Sequence, residues 1–399
     1  MRWLLLLALL AILLLASAQA SLVKVGAYDT PGYAKSVTLS GSYAYVADGN
    51  SGLQIIDISS PVSPTLKCAY NTPGYAHYLA LSGSFAYMAA GVSGLQIIDI
   101  SDPASPTLKS TTPGTAYGVA LSGSYAYVAD GNSGLRIIDI SDPASPFLKG
   151  TYNTPGTAYG VALSGGYAHV ADGDSGLLII DISDPASPFL KGTCDTQGNA
   201  QGVALSGSYA YIAAGTYGLQ IIDINDPTSP FLKGTYNTPG TAYGVALSGS
   251  YAYVADGSSG LQIIDINDPA SPFLKGTYDT QGTARSAALS GGYVYVADGD
   301  SGLLILAEGA TLQGKAWHDL DCDGIQDSGE LSYSNVPVKL LNGIESPITG
   351  RSATTGSDGS YSFLDLVPGD YYVEFTLSQG YAFSPKDQDT EDKDRVNST

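Results

Sequence analysis

Basic residues are scarce in this chain. Lys and Arg number 17 against 37 Asp and Glu, and the formal net charge is −20. Nothing in the sequence forms a basic patch, and an acidic surface repels phosphate backbones, so nucleic acid is not expected as a partner. Charged residues make up only 14% of the chain, so the acidity comes from missing cations as much as from many carboxylates. It serves solubility or, in a sharper reading, divalent cations. Cysteine is as sparse. Cys68, Cys194 and Cys322 are three, so they cannot all pair within one chain. Cys68 and Cys194 fall in the same segment of units three repeats apart, too far for a bridge if neighbours stack. All three read as incidental thiols, and the fold must hold without disulfides even if exported. No stretch has helical spacing with caps. There is no HExxH and no Ser/His/Asp arrangement, and the Gly-rich turns lack the helix and Lys of a phosphate loop.

Only one long apolar run exists. The chain opens MRWLLLLALLAILLLASAQA, with Arg2 before an unbroken Leu4–Leu15 and a small-x-small site at Ala18-Gln19-Ala20. This reads as a secretory signal peptide over 1–20, removed after Ala20, rather than an uncleaved anchor. The run is shorter than the ~20 residues of a spanning helix. The mature chain is then expected to be exported, with no transmembrane helix.

What is abundant is repetition. A phrase first seen as YAYVADGNSGLQIIDIS at Tyr43–Ser59 recurs seven times, with its Gly-Leu step at Gly52, Gly94, Gly134, Gly176, Gly218, Gly260 and Gly302. The intervals are 42, 40, 42, 42, 42 and 42 residues. Within one unit, FLKGTY, VALSG, YAYVADG and LQIIDI read as short strands. The alternation in YAYVA is that of a half-buried strand, and NTPG and NDPASP are Pro/Gly turns. Four short strands per unit are the pattern of a propeller blade, whereas the coils of a β-solenoid are usually shorter. The fold class expected is all-β: a seven-bladed β-propeller over 21–306, then a β-sandwich module. The region begins with LVKVGAY at Leu22–Tyr28, a counterpart of FLKGTY, and ends at Leu306 without another copy. The N-terminal strand is therefore expected beside Ser301–Leu306, closing the ring and leaving no exposed edge.

The core GLQIIDISDPASP, preceded by YVADG, resembles the LVIVD repeat family over about Leu22–Leu306. The resemblance implies a propeller in an exported or surface protein and no defined activity. Two sets of aspartates recur. Asp48, Asp130, Asp172, Asp256 and Asp298, with Ala90 and Ala214 in the other two slots, are expected on one face, as a carboxylate ring for a cation or sugar or as turn-shaping residues. Asp57, Asp99, Asp139, Asp181, Asp223 and Asp265, with Leu306 in the last slot, have the pattern of structural acceptors of backbone N–H groups. A reaction would need groups unique to one blade. His77, His169, Arg136, Arg285 and Tyr217 are such residues, and an active site would require His77, His169 and Arg285 to converge.

After Leu306 the composition changes. Residues 307–312 are expected as a linker and 313–399 as a second domain. Asp319, Asp321, Asp323, Gly324 and Glu330 fit D-x-D-x-D-G-x5-E, with Asp327 in the ninth position. In such a loop the carboxylates at 1, 3 and 5, the backbone carbonyl at 7 (Ile325), position 9 and a bidentate Glu at 12 bind calcium. The flanks GKAWHD and VPVKLL read as strands, not helices. With TTGSDGSYSFLDLVPGDYYVEF and GYAFSPKDQDTEDKD, the segment is similar to the SdrD B-like modules of bacterial surface adhesins, which are related to collagen-binding-protein B-type repeats. The resemblance implies that Asp319, Asp321, Asp323, Ile325, Asp327 and Glu330 hold a structural calcium. The tail around Asp387, Asp392 and Asp394 is a weaker candidate for a second ion. The family normally continues with closing strands that are not in this sequence, so the module is expected to be truncated.

Together these point to an exported, non-catalytic, adhesin-like protein. The propeller would bind an extracellular protein or carbohydrate, and the calcium-stabilised module would be a spacer. The alternatives are an exported propeller enzyme acting on carbohydrate and a structural protein of a surface layer.

Overall fold

The computed structural model describes residues 4–6, 8–9, 21–320 and 326–383. It divides into two compact units, one of Lys24–Leu306 and one that includes everything from Ala307 onward. The expected leader lies outside the described residues except for two short strands, Leu4–Leu6 and Ala8–Leu9. Their backbones pair with Tyr381–Phe383 and with Lys315–Ala316 of the second unit.

The first unit contains seven four-stranded sheets. In the first blade Ser36–Ser40, Tyr43–Ala47, Leu53–Asp57 and Thr65–Tyr70 pair antiparallel in chain order. A two-residue hairpin, Gly41-Ser42, joins the first two strands, and Gly41 has φ 55°, the conformation this tight turn demands. In the first six blades the fourth strand is exposed or half-buried along nearly all of its length. It carries a bulge in each, where the register slips past Lys67, Lys109, Lys149, Lys191, Lys233 and Lys275. A bulge and a Lys on an outer strand both discourage pairing with another molecule.

The seventh blade is built differently. Its first three strands are Ser286–Ser290, Tyr293–Ala297 and Leu303–Glu308, and its fourth is the N-terminal strand Leu22–Tyr28. Val25 and Tyr28 pack against a core that includes Leu303, Ile305, Tyr295, Val46 and Ile56. This core between the last and first blades is equivalent to those between other neighbours, such as Tyr45, Leu53 and Ile55 against Leu79, Met88 and Ile98. Each such aliphatic side chain, removed from water between two sheets, contributes roughly 1.5–3 kcal/mol.

The second unit has two three-stranded sheets. Ala310–Ala316 pairs with Ser360–Leu366, and Pro337–Asn342 lies between Pro347–Thr354 and Tyr371–Phe375. Leu312, Val338, Leu340, Tyr361, Phe363 and Leu366 meet in its core. The alternation Val338 buried, Lys339 exposed, Leu340 buried is that of a strand packed on one face. Residues 307–312, expected as a linker, lie almost wholly within strands. Leu303–Glu308 and Ala310–Ala316 are strands, and Gly309 alone separates them. Ala307 and Leu312 are both buried.

Candidate functional site

Each TPGTAY-type turn of the propeller meets the ADG turn of the preceding blade through a pair of backbone hydrogen bonds. The bridges are Gly49↔Ala76, Gly91↔Ala116, Gly131↔Ala158, Gly173↔Ala200, Gly215↔Ala242 and Gly257↔Ala284, and the same bridge joins Gly299 to Ala34. All seven alanines are fully buried. The next residue in each turn is Lys35, His77, Tyr117, Tyr159, Gln201, Tyr243 or Arg285. Its N–H donates to the same carbonyl in every blade, from Lys35 to Ala47 at 2.8 Å through Arg285 to Ala297 at 2.8 Å. One backbone position is thus held identically in each blade while its side chain varies. These side chains surround a cavity of about 240 Å³ at the mouth of the channel.

Below them the channel is tight. Gly118, Gly160, Gly202 and Gly244 open four inner strands, and a Cβ on Gly118 would come within 2.6 Å of the Tyr159 carbonyl. At these four positions neighbouring inner strands approach to backbone contact, as glycine allows.

The mouth is asymmetric. On one side cations and rings interleave. Arg285 lies 3.8 Å from the Tyr243 ring centroid and 5.1 Å from that of Tyr33, and Lys35 lies 5.3 Å from Tyr33 and 5.6 Å from Tyr75. His77 follows, 4.9 Å from Tyr75 and 4.8 Å from Tyr117, and Tyr117 is 5.5 Å from Tyr159. The opposite side holds no cation and is hydrogen-bonded: Gln201 donates to Asn199 at 2.8 Å, and Asn199 in turn donates to Asp174 at 3.0 Å. Among the described residues neither Lys35 nor Arg285 is in an ion pair. Burial and the adjacent Arg285 lower the Lys35 ammonium to a pKa of about 8. Burial and Lys35 lower His77 to about 4. At neutral pH the mouth therefore offers two cations and a neutral imidazole.

Of the residues singled out by uniqueness, His77 and Arg285 meet here. His169 does not. It takes the slot filled elsewhere by tyrosines such as Tyr127 and is buried at 3% exposure, with Nδ1 lacking a partner. Arg136 bonds the Pro113 carbonyl and lies 3.4 Å from Asp130, a structural position. Tyr217 is exposed on a turn. The sequence reading missed Lys35 and the tyrosines. The signal was the residue after the buried Ala in each turn, which changes from blade to blade while its neighbours hardly change.

The first aspartate set does not form a carboxylate ring open to ligand. Asp48, Asp130, Asp172, Asp256 and Asp298 are at most 2% exposed. Asp172 accepts from Thr154 Oγ1 at 2.5 Å and Gly156 N at 2.8 Å, and Asp48 from Thr30 Oγ1 at 2.6 Å and Gly32 N at 2.9 Å. Desolvation raises their pKa values, while these hydrogen bonds oppose the rise. They fasten the turn that enters the blade. The second set accepts, as expected, from backbone N–H groups two residues on. Asp99 Oδ1 takes Ser101 N at 3.0 Å and Ser101 Oγ at 2.7 Å, and these bonds, with Lys109, hold its pKa near 2.

In the second unit Asp321, Asp323 and Ile325 lie outside the described residues, as do Asp387, Asp392 and Asp394. Asp319 is fully buried at the start of the loop. The Trp317↔Ser332 bridge and the His318 N–H to Leu331 carbonyl bond draw the loop ends together. Glu330 then accepts from Leu320 N at 2.6 Å and Asp327 N at 2.9 Å. The glutamate that ends the acidic stretch is thereby bonded back to Leu320, the residue after buried Asp319, and carboxylates are the ligand type that suits a hard cation. Asp327 is exposed.

Comparison with known proteins agrees with both parts. The family model of the LVIVD repeat matches residues 31–72, 73–112, 113–154, 155–196, 197–238, 239–280 and 281–306, and that of the SdrD B-like domain matches 310–399. Serine-aspartate repeat-containing protein F of Staphylococcus epidermidis is 45% identical over 65 residues, 16% of this chain and 4% of that protein. Bone sialoprotein-binding protein of Staphylococcus aureus is 40% identical over 81 residues, 20% of this chain and 7% of that protein. The chain thus spans only a small part of these relatives. Among solved structures, the WD40 repeats of RRP9 superpose with a TM-score of 0.60 at 11% identity, covering 73% of this chain and 99% of theirs. The Neurospora crassa Pan2 WD40 domain gives 0.57 at 11% identity, covering 73% and 96%. At these identities the likeness is one of fold. No helix among the described residues is long and apolar enough to cross a membrane.

Proposed function

The chain belongs to the LVIVD-repeat family over residues 31–306, and on that premise we propose that it is an exported, adhesin-like interaction protein. Residues 1–20 serve as a cleaved leader. The propeller from residue 21 to 306 presents the channel mouth to an extracellular protein or carbohydrate. The module from about residue 313 is a spacer stiffened by calcium on Asp319, Asp321, Asp323, the Ile325 carbonyl, Asp327 and Glu330. Five carboxylates in twelve residues repel one another unless a divalent ion lies among them, so calcium ties the loop to the sheet. The likeness of the module to staphylococcal serine-aspartate repeat proteins supports the surface setting.

The observation that carries the binding role is the ring of one fixed backbone position with side chains that change from blade to blade. Repeat residues that serve the fold recur in nearly every unit; here tyrosine recurs only as Tyr117, Tyr159 and Tyr243, beside Lys35, His77, Gln201 and Arg285. A non-catalytic role is supported by the same ring, which holds no carboxylate to pair with His77 as acid and base. The test is binding of the chain to a panel of immobilised extracellular-matrix proteins and glycans, wild type against the Lys35→Ala/Arg285→Ala double variant. Binding that depends on the mouth supports the reading. Binding indifferent to the double variant, or none across the panel, contradicts it.

A further inference from the structure

Two cations facing a cavity with no ion-paired carboxylate among the described residues are unusual in a chain of net charge −20. They come from adjacent blades, and the repeat does not require them. Other blades place His, Tyr or Gln on the same backbone. Arg285 donates both Nε and Nη2 to Tyr33 Oη, at 3.1 and 2.9 Å. Those bonds fix the plane of its guanidinium and leave Nη1 for another acceptor. Lys35 stands between Tyr33 and Tyr75. Desolvated cations of this kind attract an anion more strongly than exposed ones, because less water competes.

The cavity also limits the ligand. About 240 Å³ is smaller than the ~300–1,000 Å³ typical of pockets for drug-sized molecules, so it admits one ring rather than several. Aromatic faces carry negative charge at the centre, which suits the C–H faces of a sugar as well as the cations. The far side offers neutral polar groups such as Gln201, which suit hydroxyls rather than a second anion.

We propose that the mouth binds a carboxylated pyranose, a uronic acid unit of an extracellular glycan, with its carboxylate on Arg285 and Lys35 and its ring against Tyr243 and Tyr117. The inference rests on the reading of the mouth as the binding face and gives that face a ligand class. A guanidinium edge pairs well with the planar carboxylate.

The test is a calorimetric titration of the full chain with methyl β-D-glucuronide, beside methyl β-D-glucoside, acetate and inorganic phosphate. The glucuronide is expected to bind at one site, with the three comparison probes weaker by about tenfold or more. Lys35→Ala and Arg285→Ala are each expected to weaken it by about tenfold, while Lys35→Arg retains binding, which separates loss of charge from loss of fold. Equal binding of the glucoside would make this a neutral sugar site. Equal binding of acetate or phosphate would make it a general anion site. Either result overturns the proposal, as does no glucuronide binding or binding that survives both alanine variants. Mouth-dependent capture of a protein or a neutral glycan in the panel would then leave the interaction role standing and withdraw only the ligand class.

Discussion

Arg285 and Tyr33 are 252 residues apart in sequence and share two hydrogen bonds, from Nε at 3.1 Å and Nη2 at 2.9 Å to the phenol oxygen. Arg285 enters the seventh blade and Tyr33 the first. The contact thus lies where the two ends of the repeat region meet, and it also supports the ligand face. Integrity of that seam and integrity of the mouth are expected to fail together.

Deleting residues 21–28 removes the fourth strand of the seventh blade and bares the edge of Leu303–Leu306. The propeller transition should fall and the chain should self-associate, as unpaired edges do. Val25→Asp is the milder form. It places an unpaired charge against Leu303 and Ile305, at a cost of roughly 2–4 kcal/mol. Thermal unfolding with sedimentation reads both. A propeller transition unchanged by the deletion would mean that the strand contributes nothing to the ring.

His169 should make the propeller acid-sensitive. Burial lowers its pKa from 6.5 to about 4, so the unfolded chain takes up the proton first. The fold carries no penalty from this group above pH ~6.5 and loses stability as pH falls toward ~4, by at most about 3 kcal/mol in all. His169→Tyr restores the residue of the other blades and removes the orphaned Nδ1. The variant should be more stable at pH 5 than wild type, with a smaller gain at pH 7.5. His77 shifts in the same direction but is partly exposed, so its share is smaller and persists in the variant. Equal pH profiles for the two proteins would contradict this account.

Asp172→Ala tests the inward carboxylates. It leaves Thr154 Oγ1 and Gly156 N without their acceptor and should cost about 1–3 kcal/mol. Ala90 and Ala214 occupy the same slot in other blades, so the variant should still fold. The propeller transition should be indifferent to calcium in wild type and variant alike. A calcium-induced rise that the variant abolishes would restore the carboxylate ring as a cation site.

Calcium should act on the second unit alone. Asp319→Ala or Glu330→Ala is expected to lower the module's melting temperature in saturating calcium and leave the propeller's unchanged. Glu330 also accepts from Leu320 and Asp327 backbone groups, so its loss should be felt without calcium as well. Calorimetric titration with melts at zero and saturating calcium distinguishes these outcomes. Equal losses in both transitions would contradict a module-specific ion.

Much of the architecture was legible in the repeat. The strands of each blade follow from alternation and from turn residues, as in Tyr43–Ala47 and Leu53–Asp57. The acceptor role of Asp57 and its counterparts could be read because the partner, Ser59, is two residues away. The face presented by Asp48 could not. Whether its carboxylate points to solvent or into the turn depends on Thr30 and Gly32, supplied by the chain entering the blade. The strands on either side of Gly309 were not legible, because AEGA has the composition of a linker, although Ala307 and Leu312 are buried.

Blade number, strand order within a blade and the acidic spacing of 319–330 are set by short-range rules: side-chain alternation, Gly and Pro in turns, carboxylates in sequence. The chain alone suffices for these. The mouth of the channel needs the assembled ring. Lys35, His77 and Arg285 sit in turns that local reasoning treats as equivalent, and no local rule tells that they converge. They do so because inter-blade cores and backbone bridges place every equivalent position on one circle, where Arg285 and Lys35, 250 residues apart in the chain, become neighbours.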